Sequence, residues 1–294
     1  MVVDTGRHGS PNRPGVASVR IAGPGSVRRN PNVGTCTPMG ARRASFSHRI
    51  RTAFGFAVFG FWAVWTATVV VPVQRLVARR GPHDLRAQAS IHRAARRYLR
   101  FAGWLGFVRL ADPVVEGLEG PGPRLVVANH PSLLDAVVLF ALLPQADCLV
   151  SAAWARNPFL WGVTRAAGYV SNAAGPAAVA ECVARLEAGR TLVIFPEGTR
   201  SPAGGLGPFQ RGAAHASLRS RVPLTPVVIR CEPPALAKGQ SWYDVPEGGF
   251  QVTVRVLEPI PPEGAQYDGV AVPVAARRLT AELRETLEKA LANP

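Results

Sequence analysis

The pair His130 and Asp135 is the part of this sequence best suited to acid–base chemistry. An apolar run in RLVVANHPSLLDAVVLF predicts a strand that ends just before His130, and Pro131 favours the first turn of a following helix. A carboxylate five positions later can bond one imidazole nitrogen, fix the tautomer and raise the basicity of the other nitrogen. The spacing therefore predicts a general base for a hydroxyl group, at a strand end where α/β proteins bind ligands. A histidine that only caps the helix gives the same spacing, so the pair alone leaves both interpretations open.

A second apolar run, in TLVIFPEGTRS, leads directly into the segment FPEGTR. Gly198 permits a close backbone approach and Thr199 supplies a hydroxyl, while Arg200 presents a planar donor fork suited to an anionic headgroup or a cofactor phosphate. Glu197 can orient Arg200 or accept a polyol hydroxyl. Arg211, in PFQRGAAHAS, adds a cation downstream. These residues are predicted to contact substrate, and the alternative is a glycine turn with a solvated ion pair.

Short apolar runs alternate with helical stretches after residue 110, in a segment that we interpret as one domain, 111–294. This alternation predicts an α/β fold with a mixed, mostly parallel sheet flanked by helices. The predicted strands are Arg124–Ala128, Cys148–Ser151, Gly168–Ser171, Thr191–Phe195, Pro223–Arg230 and Phe250–Leu257. The predicted helices are Leu133–Leu143, Ala177–Ala188 and Ala281–Ala292. Pro226 inside an apolar run predicts an edge or irregular strand, because proline cannot donate to a sheet.

Residues 46–110 are predicted to anchor the chain to a membrane. The stretch Thr52–Gln74 carries no charge and would extend about 35 Å as a helix, close to a hydrocarbon thickness. A buried core helix is the alternative. The stretch Leu85–Leu110 combines aromatic and arginine side chains and predicts an amphipathic helix at a membrane interface, with an ordinary solvated basic face as the alternative. Because arginines flank the apolar run on both sides, a hairpin in one leaflet is an open possibility, and we expect the catalytic domain on the cytoplasmic face.

The charge of the chain restricts its partners without choosing among them. The formal net charge is +15, and only Lys238 and Lys289 among the 34 basic residues are lysines. Such a balance fits nucleic acid, an anionic membrane or an anionic substrate. Residues 1–45, rich in Gly, Pro, Arg and Ser, predict a disordered basic tail. The cysteines Cys36, Cys148, Cys182 and Cys231 form no C-x-x-C pair, so we expect neither a metal site nor a disulfide framework.

Three segments resemble motifs of a known family, the lysophosphatidic acid and glycerolipid acyltransferases. They are Asn129–Asp135, Phe195–Arg200 and Val222–Val227, which resemble the family's first, third and fourth motifs, and the resemblance covers about Arg75 to Ile260. It implies an α/β domain with an amino-terminal helical membrane anchor. It also implies that His130 is the base, that Asp135 orients it, and that Glu197, Gly198 and Arg200 contact the acceptor or its phosphate. The co-substrate implied is acyl-CoA or acyl-carrier protein, with no resident cofactor.

One motif departs from the family pattern. In the family's second motif an arginine contacts the acceptor phosphate, whereas here Gly168–Ser171 is followed by Asn172. An amide cannot replace a guanidinium at a phosphate. We therefore expect Asn172 to help select a different acceptor, such as a glycolipid, an amino-acid lipid or a polyketide-like product. Arg165 or Arg156 is the alternative phosphate contact.

The sequence thus predicts a membrane-associated acyltransferase that moves a fatty acyl group from a thioester to a hydroxyl of a (lyso)phospholipid or glycolipid. Its expected partners are membrane lipids and the acyl carrier, and not nucleic acid. A serine hydrolase or thioesterase is one alternative, but the chain has no G-x-S-x-G elbow, and Ser132 lies only two residues from His130. A non-enzymatic basic adaptor for membranes or nucleic acid is the other, and it leaves the FPEGTR segment unexplained.

Overall fold

The computed structural model describes residues 45–70, 72–73, 83–111, 113, 115–118, 120, 122–155, 157–202, 204–243, 245–264, 267 and 269–293. Most of the predicted tail, the arginines just after the apolar run and Arg156 lie outside the described residues. One compact unit spans Ala41–Pro294.

A sheet of seven strands organises the described part of the chain. The strands are β1 (Val108–Leu110), β2 (Arg124–Ala128), β3 (Asp147–Val150), β4 (Val170–Ser171), β5 (Thr191–Ile194), β6 (Leu224–Glu232) and β7 (Phe250–Val256). Their order is β1-β7-β6-β2-β5-β3-β4. Neighbouring strands run parallel except for β6 and β7, which are antiparallel. The predicted α/β fold with a mixed, mostly parallel sheet is confirmed, with strand ends shifted by one or two residues.

Helices cover both faces of this sheet. They are α1 (Phe46–Trp65), α2 (His83–Trp104), α3 (Asp135–Leu142), α4 (Ala152–Ala155), α5 (Pro158–Ala166), α6 (Pro176–Glu187), α7 (Gly212–Ser220) and α8 (Val272–Ala292). A π-helical turn, Thr66–Val70, continues α1. The helix predicted from residue 281 begins instead at Val272, because Pro273 suits a first helical turn. The short helices α4, α5 and α7 were not predicted.

The central strand β2 explains why helices lie on both faces. Leu125, Val126, Val127 and Ala128 are all fully buried, so the strand is apolar on both sides, as in parallel sheets covered by helices. Val126 and Ala128 pack into a core shared with α2 and α3. Leu125 and Val127 pack into the opposite core, with α6, α7 and α8. The ends of β2 are thereby fixed in the middle of the molecule.

The prediction for Pro226 is wrong. Pro226 lies in β6, which pairs with β2 on one side and β7 on the other, so it is not on an edge strand. Its carbonyl accepts a bond from the N–H of Leu257, just beyond β7. Because the nitrogen and carbonyl of one strand residue point to the same side, the missing N–H faces the end of the β7 ladder and not β2. The proline therefore leaves the β2–β6 pairing intact.

The amino-terminal helices are packed on the domain. Gly55 of α1 lies against the ring of Phe107, and Ala67, beyond α1, lies against Gly162 of α5. The helical stretch Phe46–Val70 is long and apolar enough to cross a membrane. Over an 18-residue window its mean hydropathy is 1.7, and only 11% of that window is buried in the protein. Length and composition alone support this assignment.

The helix predicted over Leu85–Leu110 is partly wrong. The helix α2 ends at Trp104, and Val108–Leu110 form the edge strand β1 beside β7. The apolar face of α2 is buried in the domain core through Tyr98 and Ala102. Its arginines remain on the outer face, where Arg93, Arg97 and Arg100 are exposed. Burial in the core thus accounts for much of its amphipathic pattern.

Candidate active site

The structure brings His130 and Asp135 together. His130 follows β2 and Asp135 is the first residue of α3, and the imidazole Nδ1 lies 2.7 Å from the carboxylate Oδ2. The Asp135 side chain is fully buried, whereas 12% of the His130 side chain is exposed. An ionised carboxylate only accepts hydrogen bonds, so Nδ1 carries the proton in this pair. Nε2 is then the nitrogen that can accept a proton.

Ser132 donates two further hydrogen bonds to the carboxylate of Asp135. Its N–H donates to Oδ2 at 2.6 Å, and its hydroxyl donates to Oδ1 at 2.6 Å. The same hydroxyl accepts the N–H of Leu134. Both carboxylate oxygens therefore have fixed donors, which sets the direction from which Asp135 approaches His130. From the sequence Ser132 was considered only as a nucleophile and rejected, although its place between His130 and Asp135 was a usable signal.

The His130 backbone is tied to the loop that follows β5. Its N–H points to Oε1 of Glu197 at 3.3 Å and to Oγ of Ser201 at 3.2 Å. Its carbonyl accepts the N–H of Ser201 at 2.7 Å. The imidazole also stacks on Phe195, with 4.4 Å between ring centroids. The two predicted segments thus form a single site.

Asn129 adds a rigid link on the other side. Its side-chain amide donates to the carbonyl of Ile229 and accepts the N–H of the same residue, both at 2.8 Å. This pair of bonds joins the end of β2 to β6. Asn129, like Ser201, positions His130 and was not among the predicted site residues.

The structure does not pair Glu197 with Arg200, which was one of the two roles considered for Glu197. Glu197 is buried, and its Oε1 accepts the hydroxyl of Ser201 at 2.6 Å while its Oε2 accepts the N–H of Gly207 at 2.7 Å. Arg200 instead donates from Nη1 to the carbonyls of Leu236 and Ala237, at 2.7 and 2.9 Å. Burial favours neighbouring backbone and hydroxyl partners for the carboxylate. Glu197 therefore holds the loop in shape.

The other predicted contacts lie on the surface of this loop and of α7. Gly198 has a φ of +64°, a left-handed conformation that favours glycine, and both Gly198 and Thr199 are exposed. Arg211 is exposed at the start of α7, where it can face an anion beside the positive end of the helix. All three stand on the same edge of the sheet as His130.

Asn172 lies at this edge too, but farther away. It follows β4, three strand spacings or roughly 14 Å from β2. Its Oδ1 accepts the N–H of Ala152 at 3.0 Å, which links this side chain to the start of α4. Arg165 is exposed, and its guanidinium lies over the ring of Trp161, 5.5 Å from the centroid. The alternative contact Arg156 lies outside the described residues.

An apolar cavity of about 90 Å³ lies beside α3. Its walls come from the π-helical turn, from α1 to α5 and from Tyr169, and they include Trp62, Tyr98, Val137 and Phe140. Val137 is only two residues from Asp135. The sequence did not predict this cavity because its walls come from segments that are far apart in the chain.

Several known proteins are similar to this chain in sequence. The family model Acyltransferase matches residues 113–230. The human 1-acyl-sn-glycerol-3-phosphate acyltransferase alpha is 28% identical over 233 residues, covering 74% of this chain and 75% of the human protein. The yeast 1-acyl-sn-glycerol-3-phosphate acyltransferase, from Saccharomyces cerevisiae, is 30% identical over 161 residues, covering 50% of each.

A solved structure shares the fold. The crystal structure of the 1-acyl-sn-glycerophosphate acyltransferase PlsC from Thermotoga maritima aligns with a TM-score of 0.57 and 20% identity, covering 84% of this chain and 96% of that one. At this identity the likeness concerns the fold alone. The sequence matches identify this chain as an O-acyltransferase that is similar to the 1-acyl-sn-glycerol-3-phosphate acyltransferases.

Proposed function

We propose that this acyltransferase works at a membrane and transfers a fatty acyl group from acyl-CoA or acyl-carrier protein to a hydroxyl of a lysophospholipid or glycolipid. The observation that carries the proposal is the 2.7 Å bond between His130 and a fully buried Asp135, which leaves Nε2 as the acceptor of a proton. The relatives named as 1-acyl-sn-glycerol-3-phosphate acyltransferases support a lipid acceptor.

In the proposed reaction His130 acts as a general base. Its Nε2 takes the proton of the acceptor hydroxyl while the hydroxyl oxygen attacks the thioester carbonyl. This attack forms the new C–O bond and breaks the C–S bond. The imidazolium gives the proton to the departing thiolate. Asp135 stabilises the imidazolium through Nδ1. General-base assistance of this kind is worth about 10²–10⁴-fold in rate.

Direct transfer, without an acyl-enzyme, is supported by the state of the nucleophiles. The Ser132 hydroxyl is fully buried and donates to Asp135, so it is not poised to attack a carbonyl. Burial raises the pKa of Cys148, Cys182 and Cys231 to about 12, so these thiols remain protonated at neutral pH. A hydrolase with a serine or cysteine nucleophile has no support among the described residues.

We assign the acyl chain and the acceptor to different places near the edge of the sheet that carries His130. The apolar cavity behind α3 suits a hydrocarbon chain, since its lining is almost wholly aliphatic and aromatic. The exposed Arg211 and the loop bearing Thr199 and Arg200 suit a polar or anionic headgroup. The largely exposed apolar helix α1 supports membrane association.

The test is acyl transfer by the purified full-length protein. We expect release of free thiol from an acyl thioester only when a lipid hydroxyl is added, together with formation of the acylated lipid. The variant H130A should lose this activity, whereas H215A, which removes an imidazole outside the pair, should keep it. Thiol release without an acceptor would favour a thioesterase, and equal activity of H130A and the parent protein would refute the general-base role.

A further inference from the structure

The loop between β6 and β7, residues 233–249, carries two aromatic side chains at the protein surface. Trp242 and Tyr243 are 46% and 44% exposed, and their rings meet edge to face at 5.4 Å. Large apolar side chains in water need an explanation when they lie together. Tryptophan and tyrosine prefer the boundary between lipid and water, because each has an apolar ring and a polar atom.

This loop packs against α1. Phe56 of α1 contacts the Trp242 ring at 5.7 Å, and Pro246 and Glu247 lie beside His48 near the start of the helix. Gly55, between Phe54 and Phe56, rests on the domain at Phe107. Its two neighbours therefore point to opposite flanks of α1.

The other flank of α1 carries a matching aromatic group. Phe54 contacts Phe101 at 6.2 Å, and Phe101 stacks with Trp104, which is 79% exposed. Exposed tryptophans thus stand on both sides of the apolar helix. Arg100 is exposed beside Trp104, whereas the loop exposes one cation, Lys238, and one carboxylate, Glu247.

The base of the loop is joined to the active site. Arg200 holds the carbonyls of Leu236 and Ala237, and Arg200 belongs to the same loop as Glu197 and Ser201, which bond the His130 backbone. A surface that binds Trp242 and Tyr243 is therefore held in a fixed orientation relative to the edge of the sheet that carries His130.

We propose that the β6–β7 loop is a second membrane contact, with Trp242 and Tyr243 in the headgroup layer beside α1, so that a lipid acceptor reaches His130 from the bilayer. This inference rests on the proposed transfer to a lipid. The partner is a lipid surface rather than a second copy of the chain, because the aromatic pair lies directly beside the apolar helix α1.

The first experiment measures depth in the bilayer. The full-length protein is reconstituted in vesicles of phosphatidylcholine and phosphatidylglycerol with or without brominated acyl chains, and its tryptophan fluorescence is recorded. We expect W242F to lose a share of the bromine-quenched signal. The matched control W154F removes a partly buried tryptophan at the apolar cavity. It should keep the part of the bromine-quenched fluorescence that Trp242 provides. Unchanged quenching in W242F would overturn the proposal, whatever the enzyme activity.

The second experiment separates membrane contact from catalysis. We expect W242A/Y243A to transfer acyl groups to a bilayer-embedded acceptor roughly ten-fold more slowly, because apolar surface is withdrawn from lipid, and to keep its rate on a soluble short-chain acceptor. The control V272A/V274A trims exposed apolar side chains at the start of α8 and should change neither rate. An equal loss on both acceptors, or a dimer in detergent that dissociates in W242A/Y243A, would overturn the proposal. If the parent protein acylates no acceptor, the proposed function fails while the quenching result still stands.

Discussion

Two fully buried aspartates at opposite edges of the sheet show how one fold treats the same side chain in two ways. Asp135 lies at the carboxyl edge, where it contacts one imidazole and two donors of Ser132. Asp147 opens β3 at the amino edge, where its carboxylate contacts two guanidinium groups, Arg190 at 2.6 Å and Arg185 at 3.3 Å.

The difference lies in what each partner can do with a proton. An arginine stays charged at any physiological pH, so the Asp147 cluster cannot exchange protons with a substrate. An imidazole gains and loses a proton near neutral pH, and a fixed carboxylate stabilises its charged form. The carboxyl edge is therefore equipped for chemistry and the amino edge for structure.

The amino-edge cluster joins distant parts of the chain. Asp84 of α2 accepts from Arg190 at 2.7 Å and from Arg185 at 3.1 Å, and Gln88 of α2 donates to Asp147 at 2.9 Å. Burial raises the pKa of Asp147, although Arg190 and Arg185 act in the opposite direction. The cluster fastens α2 to the sheet, and α2 forms part of the wall of the apolar cavity.

The largest expected effect concerns the carboxyl edge. We expect D135N, which keeps the shape but cannot ionise, to reduce kcat by about 10⁴-fold, and H130A to fall similarly, since a histidine without its orienting carboxylate loses its tautomer. Membrane association should be unchanged. Steady-state kinetics and vesicle flotation of the purified variants measure the two properties, and near-normal turnover by either variant would exclude the proposed mechanism.

The opposite edge should show the reverse behaviour. D147N removes the buried carboxylate that lies between the half-buried guanidinium groups of Arg185 and Arg190, which keep only part of their pairing through Asp84, so we expect a loss of up to about 3–5 kcal/mol of folding stability. Thermal unfolding should record this loss, while kcat per folded molecule at low temperature should match that of the parent. A D147N protein with normal stability and a large drop in kcat would show that the two edges are coupled.

The sequence predicted the strand ends that carry His130 and FPEGTR, because buried parallel strands read as uninterrupted apolar runs of characteristic length. It failed where partners are distant in the chain. Asp84 and Arg190 are separated by 106 residues, and no local pattern relates them. The apolar cavity was missed for the same reason.

Inferring an ion pair from opposite charges close together in the sequence also failed at one place within the site. Glu197 and Arg200 are three residues apart and of opposite charge, which suggested an ion pair. The turn at Gly198 instead directs Glu197 inward to Ser201 and Gly207, and Arg200 toward the β6–β7 loop. Such a choice depends on which side chain is buried, and the sequence does not fix burial in a tight turn.

A smaller effect is expected at Asn172. If an arginine at this position is what binds a phosphate, then lysophosphatidic acid should be a poorer substrate than the native acceptor by about ten- to a hundred-fold, the value of a lost charge-assisted contact of roughly 1.5–3 kcal/mol. N172R should recover part of this loss, although it also removes the bond to Ala152. Kinetics with lysophosphatidic acid and glycolipid acceptors measure the ratio. Rapid acylation of lysophosphatidic acid that collapses in R165A would assign the phosphate to Arg165 instead.

The smallest effect is expected at Ser132, and it tests why the carboxyl edge differs from the amino edge. S132A removes the hydroxyl bond to Asp135 and the bond that the hydroxyl accepts from the Leu134 N–H, but keeps the backbone N–H bond and the bond to His130. The lost bond to Asp135, about 1.4 kcal/mol, corresponds to a roughly ten-fold lower kcat, with the KM for the thioester unchanged. If Ser132 were instead an acylated nucleophile, S132A would be as inactive as H130A, and a burst of thiol would precede steady turnover in the parent protein. Rapid-quench kinetics of the parent protein, S132A and H130A therefore distinguish a serine that aligns Asp135 from one that forms a covalent intermediate. Only an aligning serine is compatible with a carboxylate whose sole catalytic partner is an imidazole.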